Sequence, residues 1–420
     1  MDAWGAPRRV VSGAPRRVAV VGAGMVGLST AWFLQERGVD VTVLERRDVA
    51  AGASWGNAGW LTPGLATPLP EPAVLASGVR AVLSPSSPVY VPPSASPRLL
   101  RFLAGFARNS TAARWRRAME ALVPINGLAL PSFDALVEGG VAAETRDAAP
   151  FVAAYRTAAE RRVLLEEIEH IAAAGQDVEC EALDGTEARA LAPLLSERVG
   201  AAILLRGQRF VDPGRFVRAL AGAVRARGGE IRTGTDVGGL RDGPDGVAVG
   251  TERFDAVVVA SGVRLGDLAR RFGVRAVVQA GRGYSFSVPV ESVPSGPVYL
   301  PAQRVACTPL GDRLRLAGMM EFRRPDAALD PRRIRAIVEA ARPMLRGADL
   351  DDRRDEWVGS RPCTRDGLPL IGATRSPRVF VGGGHGMWGI TLGPATGRLL
   401  AETVATGRAP AELAPFDPLR

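Results

Sequence analysis

The sequence predicts an α/β fold in which a Rossmann-type domain is interleaved with an α+β domain built on a mostly antiparallel sheet. A strand–glycine loop–helix–strand unit lies near the N-terminus, and a second strand–glycine loop–helix unit follows about 360 residues later. Stretches with alternating apolar residues lie between the two units and predict strands with one covered face. With 420 residues and 46% hydrophobic content, the chain can bury the cores of two domains.

The N-terminal unit has the order expected of a dinucleotide-binding motif. Val18 to Val21 form an apolar run typical of a buried parallel strand, and a helix from Met25 to Arg37 follows. Three glycines between them permit a sharp turn, a close approach to a pyrophosphate and tight helix packing: Gly22, Gly24 and Gly27. Glu45 ends the next strand, where a carboxylate can accept hydrogen bonds from a ribose diol. The alternative is a glycine-rich turn without a ligand.

Composition excludes several kinds of site. All 53 basic residues are arginine, so no lysine is present to form a Schiff base or to serve a P-loop. Two histidines, His170 and His385, and three cysteines without paired spacing predict neither a metal site nor a disulfide framework. The net charge of +9 comes from scattered arginines without a recognition motif, so we expect no nucleic-acid partner. We expect a reducing, cytoplasmic setting.

The segments after the first unit are less regular. The glycine-rich loop at 48–64 is expected to line the cofactor with Ser54, Asn57, Ala58 and Gly59. Residues 65–97 are rich in proline and serine and predict an irregular excursion.

Residues 98–121 predict one helix with apolar residues and several arginines. Such a helix packs on a protein surface or lies on an anionic membrane, so peripheral contact with the inner membrane face stays open. His170, in a helix predicted over 160–174, is expected to be a boundary residue rather than an acid–base group.

The middle and end of the chain return to the nucleotide-binding pattern. Asp212 and Pro213 predict the start of a helix over 214–227, and strands are expected at 230–233, 237–240 and 254–260. Small residues after the last of these, Ser261 and Gly262, would let backbone approach a nucleotide. A β-rich excursion at 271–355 closes with a helix over 331–346. The second glycine loop then joins a strand at 379–381 to a helix over 390–406.

These motifs together resemble the flavin-dependent amine oxidoreductases of the D-amino-acid oxidase superfamily, most closely the bacterial D-amino-acid dehydrogenases. The resemblance begins at Arg17 and is colinear; it rests on these stretches: 20–27 with Glu45, Asn57-Ala58-Gly59, Gly283-Tyr284-Ser285, Gly318-Met319-Met320-Glu321, Arg361-Pro362 with Thr364 and Asp366-Gly367, and Gly384-His385-Gly386 with Gly389 and Thr391. It implies noncovalently bound FAD in a glutathione-reductase-like domain. Its implied cofactor contacts are Gly22, Gly24, Met25, Val26, Gly27, Glu45, Arg46, Ser54, Asn57, Ala58, Gly59, Val237, Ser261, Gly262, Gly384, His385, Gly386, Met387, Trp388, Gly389, Ile390 and Thr391.

The resemblance also implies three catalytic residues. Arg361 matches the arginine that anchors the substrate carboxylate, and a guanidinium fork suits that contact. Tyr284 is expected to hydrogen-bond the carboxylate or close the pocket, although Arg282 stands where relatives carry lysine. His385 either faces the flavin or is a structural loop residue.

The implied reaction is oxidative deamination of a D-amino acid. Hydride passes from Cα to flavin N5, and the imino acid hydrolyses to a keto acid and ammonia. Electrons then pass to a quinone or another carrier rather than to oxygen. The alternatives are an oxygen-using oxidase of glycine, sarcosine or cyclic imino acids, a nicotinamide-dependent reductase, and a non-catalytic flavoprotein subunit.

The predicted domains are discontinuous. Residues 1–16 are expected to form an arm without stable structure. The FAD-binding domain is assigned to 17–75, 196–270 and 356–420, and the substrate domain to 76–195 and 271–355.

Overall fold

The computed structural model describes residues 15–72, 87–94 and 96–420 and confirms the predicted α/β fold class. Its first layer is a six-stranded sheet in which all neighbours are parallel except the last pair. The strand order is Glu230–Arg232, Asp40–Leu44, Arg17–Val21, Ala256–Val259, Val379–Gly383 and Leu370–Ala373. The apolar run at Val18 to Val21 occupies a central strand and is buried, as its composition predicts.

Helices cover one face of this sheet and a small meander covers the other. Helices Met25–Gln35 and Gly393–Thr406 pack against each other, and Pro213–Ala226 and Ala129–Glu138 complete the same apolar core. The opposite face packs on a three-stranded sheet of Leu240–Gly243, Gly246–Val249 and Glu252–Phe254. The two glycine loops follow strands Arg17–Val21 and Val379–Gly383, which run parallel with one strand between them. Both loops therefore leave the sheet at the same edge.

The second layer is a nine-stranded, mostly antiparallel sheet. Its order is Arg354–Cys363, Gln279–Pro289, Arg313–Phe322, Val305–Leu310, Val298–Leu300, Phe151–Tyr155, Ala201–Leu205 and Cys180–Asp184, and Val89–Tyr90 pairs with Arg313–Phe322. Only two of its pairings are parallel, those of Val298–Leu300 with Phe151–Tyr155 and of Val89–Tyr90 with its neighbour. Helix Pro331–Ala341 covers one face, where side chains of every second residue form an apolar core.

The remaining elements are short or peripheral. A three-stranded sheet joins Trp60–Leu61, Arg209–Phe210 and Arg146–Asp147. The other α-helices among the described residues are Pro97–Asn109, Ala112–Gly127, Ala158–Ala173, Gly185–Leu191 and Leu265–Ala269, and 3-10 turns lie at Pro63–Leu65, Gly262–Arg264, Arg270–Phe272 and Ala411–Phe416. Within the described ranges, no helix has the length and apolar content needed to cross a bilayer.

Three predicted elements are wrong in detail. The strand expected at 254–260 is two strands of different sheets, Glu252–Phe254 and Ala256–Val259. The single helix expected over 98–121 is two helices that meet at Ser110 and Thr111, because Thr111 has extended backbone angles (φ −105°, ψ 149°) and begins the second helix. The strand expected at 237–240 starts only at Leu240. Much of the predicted proline-rich excursion, at 73–86 and residue 95, lies outside the described residues.

The strand pairings also move two predicted boundaries. Strands Ala201–Leu205 and Arg354–Cys363 belong to the nine-stranded sheet, although the predicted limits put the first and most of the second in the FAD-binding domain. We therefore propose that both strands belong to the substrate domain. Of the predicted N-terminal arm, residues 1–14 lie outside the described residues. The Asp255 carboxylate accepts the N–H groups of Arg16 and Arg17 at 2.7 and 2.9 Å, so residue 16 is tied to the sheet.

Candidate active site

The first glycine loop follows strand Arg17–Val21 in a conformation that glycine adopts easily. Gly22 has φ +115°, and a Cβ there would lie 2.5 Å from the carbonyl oxygen of Ala260. A Cβ on Gly27 would lie 1.9 Å from the Gly22 carbonyl oxygen. The sharp turn and the close helix packing that the spacing predicts are therefore present.

The helix after this loop presents free backbone N–H groups. Its first bond runs from the Leu28 N–H to the Gly24 carbonyl oxygen over 3.0 Å, which leaves the N–H groups of Val26 and Gly27 without helical partners. The Met25 N–H donates to Ser54 Oγ, 3.2 Å away. Unpaired N–H groups and the helix dipole make this a suitable position for a diphosphate.

Glu45 lies directly beside the loop. Its Oε2 accepts the Ala23 N–H at 2.9 Å and its Oε1 accepts the Arg47 N–H at 3.0 Å. Each carboxylate oxygen has a further lone pair, so Glu45 can still accept a hydroxyl group. The neighbouring Arg46 turns toward Asp326, 4.0 Å away.

A cavity of about 410 Å³ opens beside the Glu45 strand. It is lined by Leu44 and by residues 235–239, which include Val237. The Thr235 N–H donates to the Glu45 carbonyl oxygen over 2.8 Å and holds this segment against the strand. Val237 therefore lies two residues from a backbone contact with Glu45.

Two small residues, Ser261 and Gly262, follow strand Ala256–Val259. Gly262 has φ +58°, and a Cβ on it would meet no atom within 4 Å. Ser261 Oγ is buried and has no hydrogen-bond partner in the structure. An orphaned hydroxyl beside open space is consistent with a polar ligand at this edge of the sheet.

The loop at 54–59 is held from both layers. Asn57 Oδ1 accepts the Gly59 N–H at 2.8 Å, and Gly59 has φ +82°. Ala58 lies between them. Arg315, from the nine-stranded sheet, donates from Nη1 to the Trp55 carbonyl oxygen at 2.9 Å.

The second glycine loop lies against the first. A Cβ on Gly382 would be 3.2 Å from the Val26 side chain, and one on Gly393 would be 2.5 Å from Met25 Cγ. The helices that follow the two loops therefore pack in direct contact. The two loops therefore lie close together in space, although they are about 360 residues apart in sequence.

His385 is held inside this loop. It is 3% exposed, and its Nε2 lies 2.8 Å from Thr396 Oγ1. Burial lowers the pKa of His385 to about 4, so the ring is neutral at physiological pH. These contacts favour the structural interpretation of His385 over a catalytic one.

The rest of the loop faces several directions. Gly386 has φ +56° with open space around its Cα, and Gly384 has φ +80°. The Trp388 Nε1–H donates to the Thr67 carbonyl oxygen, and Thr391 Oγ1–H donates to that of Trp60. The remaining members are distributed as follows: Met387 packs near Cys363, Gly389 lies near the His385 Cβ, and the Ile390 side chain is in the core of the six-stranded sheet.

Arg361 lies across the nine-stranded sheet. It is opposite Gly281, and a Cβ on Gly283 would be 2.4 Å from its Cζ. Its Nη1–H donates to the Met319 carbonyl oxygen at 2.6 Å. Among the described residues no carboxylate lies within 4.0 Å of it. Burial lowers the pKa of Arg361, yet an arginine remains charged at physiological pH. A desolvated cation without a counter-ion is suited to bind an anion.

Tyr284 is not brought to Arg361, and its predicted contact with the substrate carboxylate is not supported. Successive residues of a strand face opposite sides of a sheet, so the side chain points away from the guanidinium that covers Gly283. It is fully buried under helix Pro331–Ala341, and its hydroxyl donates to Glu321 Oε2 at 2.7 Å. Arg282 donates to the same oxygen at 3.4 Å.

Comparison with known proteins agrees with this geometry. The family model described as DAO, FAD dependent oxidoreductase, matches residues 17–403. The chain belongs to this FAD-dependent oxidoreductase family. The oxidoreductase is 32% identical over 410 residues to a D-amino acid dehydrogenase of Cereibacter sphaeroides (strain ATCC 17029 / ATH 2.4.9), covering 94% of this chain and 92% of the relative.

Solved structures share its fold. Glycine oxidase from Geobacillus kaustophilus superimposes with a TM-score of 0.72 at 24% identity, covering 96% of this chain and 99% of that one. L-proline dehydrogenase from P. horikoshii gives 0.70 at 17% identity, with 97% and 98% covered.

The residues present fit FAD. Free N–H groups at a helix N-terminus, a carboxylate with spare lone pairs, and the cavity beside Val237 suit the diphosphate, ribose and adenine ends. The second glycine loop and the loop at 54–59 lie farther along the same edge. The individual contacts remain predictions.

Sequence reasoning missed several residues of this region. The carbonyl of Met319, which has φ +66° at a β-bulge, orients Arg361. Arg315 holds the cofactor-side loop from the opposite layer. Met319 lies in one of the stretches that carry the family resemblance, but that stretch does not reveal what its carbonyl contacts, and Arg315 has no motif around it. Both act through contacts between segments far apart in sequence.

Proposed function

We propose that this oxidoreductase deaminates a D-amino acid oxidatively and passes the electrons to an acceptor other than oxygen. The observation that carries the proposal is Arg361, a desolvated guanidinium without a carboxylate partner among the described residues. A bidentate bond to a substrate carboxylate would satisfy it. The name of the curated relatives supports the class of substrate.

The chain's own residues position the substrate rather than transfer protons. Arg361 would hold the carboxylate, and the absence of a side chain at Gly283 lets the guanidinium lie across that strand. Bound FAD would accept the hydride from Cα, which carries both electrons of the oxidation. The amine nitrogen loses a proton. Water then adds to the imine carbon, and the nitrogen leaves as ammonia. His385 is neutral and bonded to Thr396, so it does not serve as the base for an ammonium group.

We propose that FAD is bound without a covalent link to cysteine. Cys363 is the thiol closest in sequence to the second loop, and it is 1% exposed between Arg361 and Gly281. Burial raises its pKa to about 12, so it remains a protonated, poor nucleophile. Acid precipitation should release all of the flavin into the supernatant.

The test is flavin reduction without oxygen. The purified holoenzyme is mixed with D- and L-amino acids, glycine, sarcosine and prolines, and the loss of the flavin absorption band is recorded. Faster bleaching by D-amino acids supports the proposal. Bleaching by glycine, sarcosine or prolines alone, with hydrogen peroxide formed in air, would establish the oxidase alternative instead.

We also propose peripheral contact with an anionic membrane, where a quinone acceptor would be available. Helix Pro97–Asn109 exposes Leu100, Arg101 and Arg108 to solvent, and no acid lies within 4.0 Å of either arginine among the described residues. Exposed apolar and cationic groups on one helix suit a lipid surface. Sedimentation with vesicles of anionic lipid, compared with neutral lipid, tests this contact.

A further inference from the structure

Five titratable side chains lie together near the middle of the nine-stranded sheet, three or more strands from the edge strand that carries Arg361. They come from separate segments: Glu71, Tyr155, Glu167 in helix Ala158–Ala173, Tyr299, and Arg304 in the turn after Val298–Leu300. Each interacts electrostatically with others of the set. None of them is used in the proposed reaction.

The charges of this cluster are not balanced. Two carboxyl groups share the Arg304 guanidinium, with His170 as a second basic group near Glu167, and within the described part of the chain Arg304 forms no ion pair within 4.0 Å with either carboxyl group. Burial raises the pKa of Glu167, and burial together with Glu167 raises that of Glu71 to about 8. Unless another cation is present, one carboxyl group retains its proton at neutral pH.

A second observation points to a ligand in the same place. Tyr155 is 2% exposed, and its hydroxyl has no hydrogen-bond partner. The charged groups around it are Glu167 and Arg304, with Glu160 farther along the same helix. A buried hydroxyl normally has a partner, so its position near Glu167, which forms no ion pair within 4.0 Å among the described residues, indicates an unfilled donor–acceptor site.

The cluster lies on the same sheet face as Arg361. Strand pairing places Tyr299, Ala306, Ala317 and Ser285 in one row across four strands. Gly283 lies beneath the Arg361 guanidinium. It is two residues from Ser285, the last residue of that row, and therefore faces the same side of the sheet. The two ends of the row, Tyr299 and Ser285, are three strand spacings apart, which is about 14 Å between their backbones. The side chains of the cluster and of Arg361 extend into this gap from both ends and shorten it. Small residues therefore form the floor between the carboxylate anchor and the cluster.

We propose that Glu71, Tyr155 and Glu167 form a subsite for the cationic end of a basic amino-acid substrate, an ammonium or guanidinium group, whose carboxylate lies on Arg361. The inference rests on the proposed function and names its substrate class. A ligand cation would balance both carboxylates against Arg304 and give the Tyr155 hydroxyl a partner. A neutral side chain would leave the buried Tyr155 hydroxyl and the half-buried carboxylates without a partner, which is unfavourable.

The first test compares D-lysine with D-norleucine, which has a similar carbon chain without the amine. We expect kcat/KM for D-lysine to exceed that for D-norleucine by about tenfold or more, the size of one charged hydrogen bond. Glu167→Gln should remove most of this preference. It should leave kcat/KM for D-norleucine within about twofold of the wild-type value, because the neutral side chain of that substrate makes no charged contact. Glu166→Gln, an exposed neighbour, is the control and should retain the preference.

Tyr155→Phe serves as a second variant because it removes only the hydroxyl and keeps the packing of the ring. It should lower the preference for D-lysine in the same direction. Equal use of D-lysine and D-norleucine by the wild type, or equal losses for both substrates in Glu167→Gln, would overturn the subsite while leaving D-amino-acid oxidation intact.

Binding separates the subsite from the reaction. Calorimetry with n-pentylamine and n-pentanol on the holoenzyme should show tighter binding of the amine, and Glu167→Gln should abolish the difference. This result would support the subsite even if no D-amino acid reduces the flavin, which would refute the proposed function alone. Equal binding of the amine and the alcohol to the wild type would overturn the subsite.

Discussion

At the scale of single residues, the carboxylate anchor depends on what surrounds Arg361. The absence of a side chain at Gly283 lets the guanidinium lie across the strand, and the Met319 carbonyl fixes one of its nitrogens. The left-handed backbone of Met319 aims that carbonyl and is the kind of local strain found at functional sites. Position and charge at this residue are therefore set by different parts of the sheet.

Arg361→Ala should raise KM for the best amino-acid substrate strongly, by roughly 2–5 kcal/mol in binding terms, because a desolvated charge pair is lost. The measurement is steady-state kinetics with flavin content checked by absorbance. Arg324→Ala, an exposed arginine close to the same sheet, is the control and should leave KM unchanged. An unchanged KM in Arg361→Ala would refute the anchor.

Gly283→Ala tests the placement of the anchor without removing its charge. The new Cβ would lie 2.4 Å from Arg361 Cζ, so the guanidinium must move. We expect a higher KM with flavin content preserved. Gly222→Ala, at an exposed helical position with open space around it, should leave KM at the wild-type value. Wild-type KM in Gly283→Ala would show that the guanidinium does not need this position.

At the scale of elements, the two strand–glycine loop–helix units perform the same task from opposite ends of the chain. Each glycine loop lets its helix begin close to the sheet, and the two helices then pack on each other. Their N-termini consequently point toward one edge of the six-stranded sheet. A single elongated ligand can lie along that edge.

Gly22→Val should abolish FAD retention. Its φ of +115° is unfavourable for a β-branched residue, and the Cβ would lie 2.5 Å from the Ala260 carbonyl oxygen. The ratio of flavin to protein absorbance measures the loss. Circular dichroism would establish that the variant remains folded, and a yellow, fully loaded Gly22→Val protein would contradict the role of the loop.

At the scale of the whole molecule, a few long-range contacts join the two layers. Arg315 reaches the Trp55 carbonyl, and the Trp60 ring nitrogen donates to Thr308 Oγ1 at 2.9 Å. Thr391 in turn donates to the Trp60 carbonyl oxygen. The loop expected to contact the flavin is thus held by the substrate sheet and by the second glycine loop together.

The buried His385 should make global stability depend on pH. Its folded pKa of about 4 lies below the usual value of 6.5, so the unfolded chain binds more protons between these values. His385 therefore contributes to a loss of stability as the pH falls from about 6.5 toward 4.

Thermal unfolding of wild type and His385→Gln at pH 7.0, 6.0 and 5.5 checks this effect. The fall in Tm should be smaller in the variant, since it removes the histidine that titrates. Glu71 has the opposite sign, because its raised pKa makes it lose stabilisation as the pH rises through 8. Equal slopes for both proteins would show that His385 does not titrate on unfolding.

The sequence alone determined the α/β class, the glycine loops and the cofactor family, because these depend on local patterns of strand, glycine and helix. It also identified Arg361 through a short motif. It did not determine which way Tyr284 faces, since the side of a strand that meets the substrate depends on how sheets and helices pack. The position of the Met319 carbonyl and the cluster around Tyr155 likewise required the tertiary structure. Each of them arises from contacts between residues distant in sequence, and no local pattern encodes such contacts.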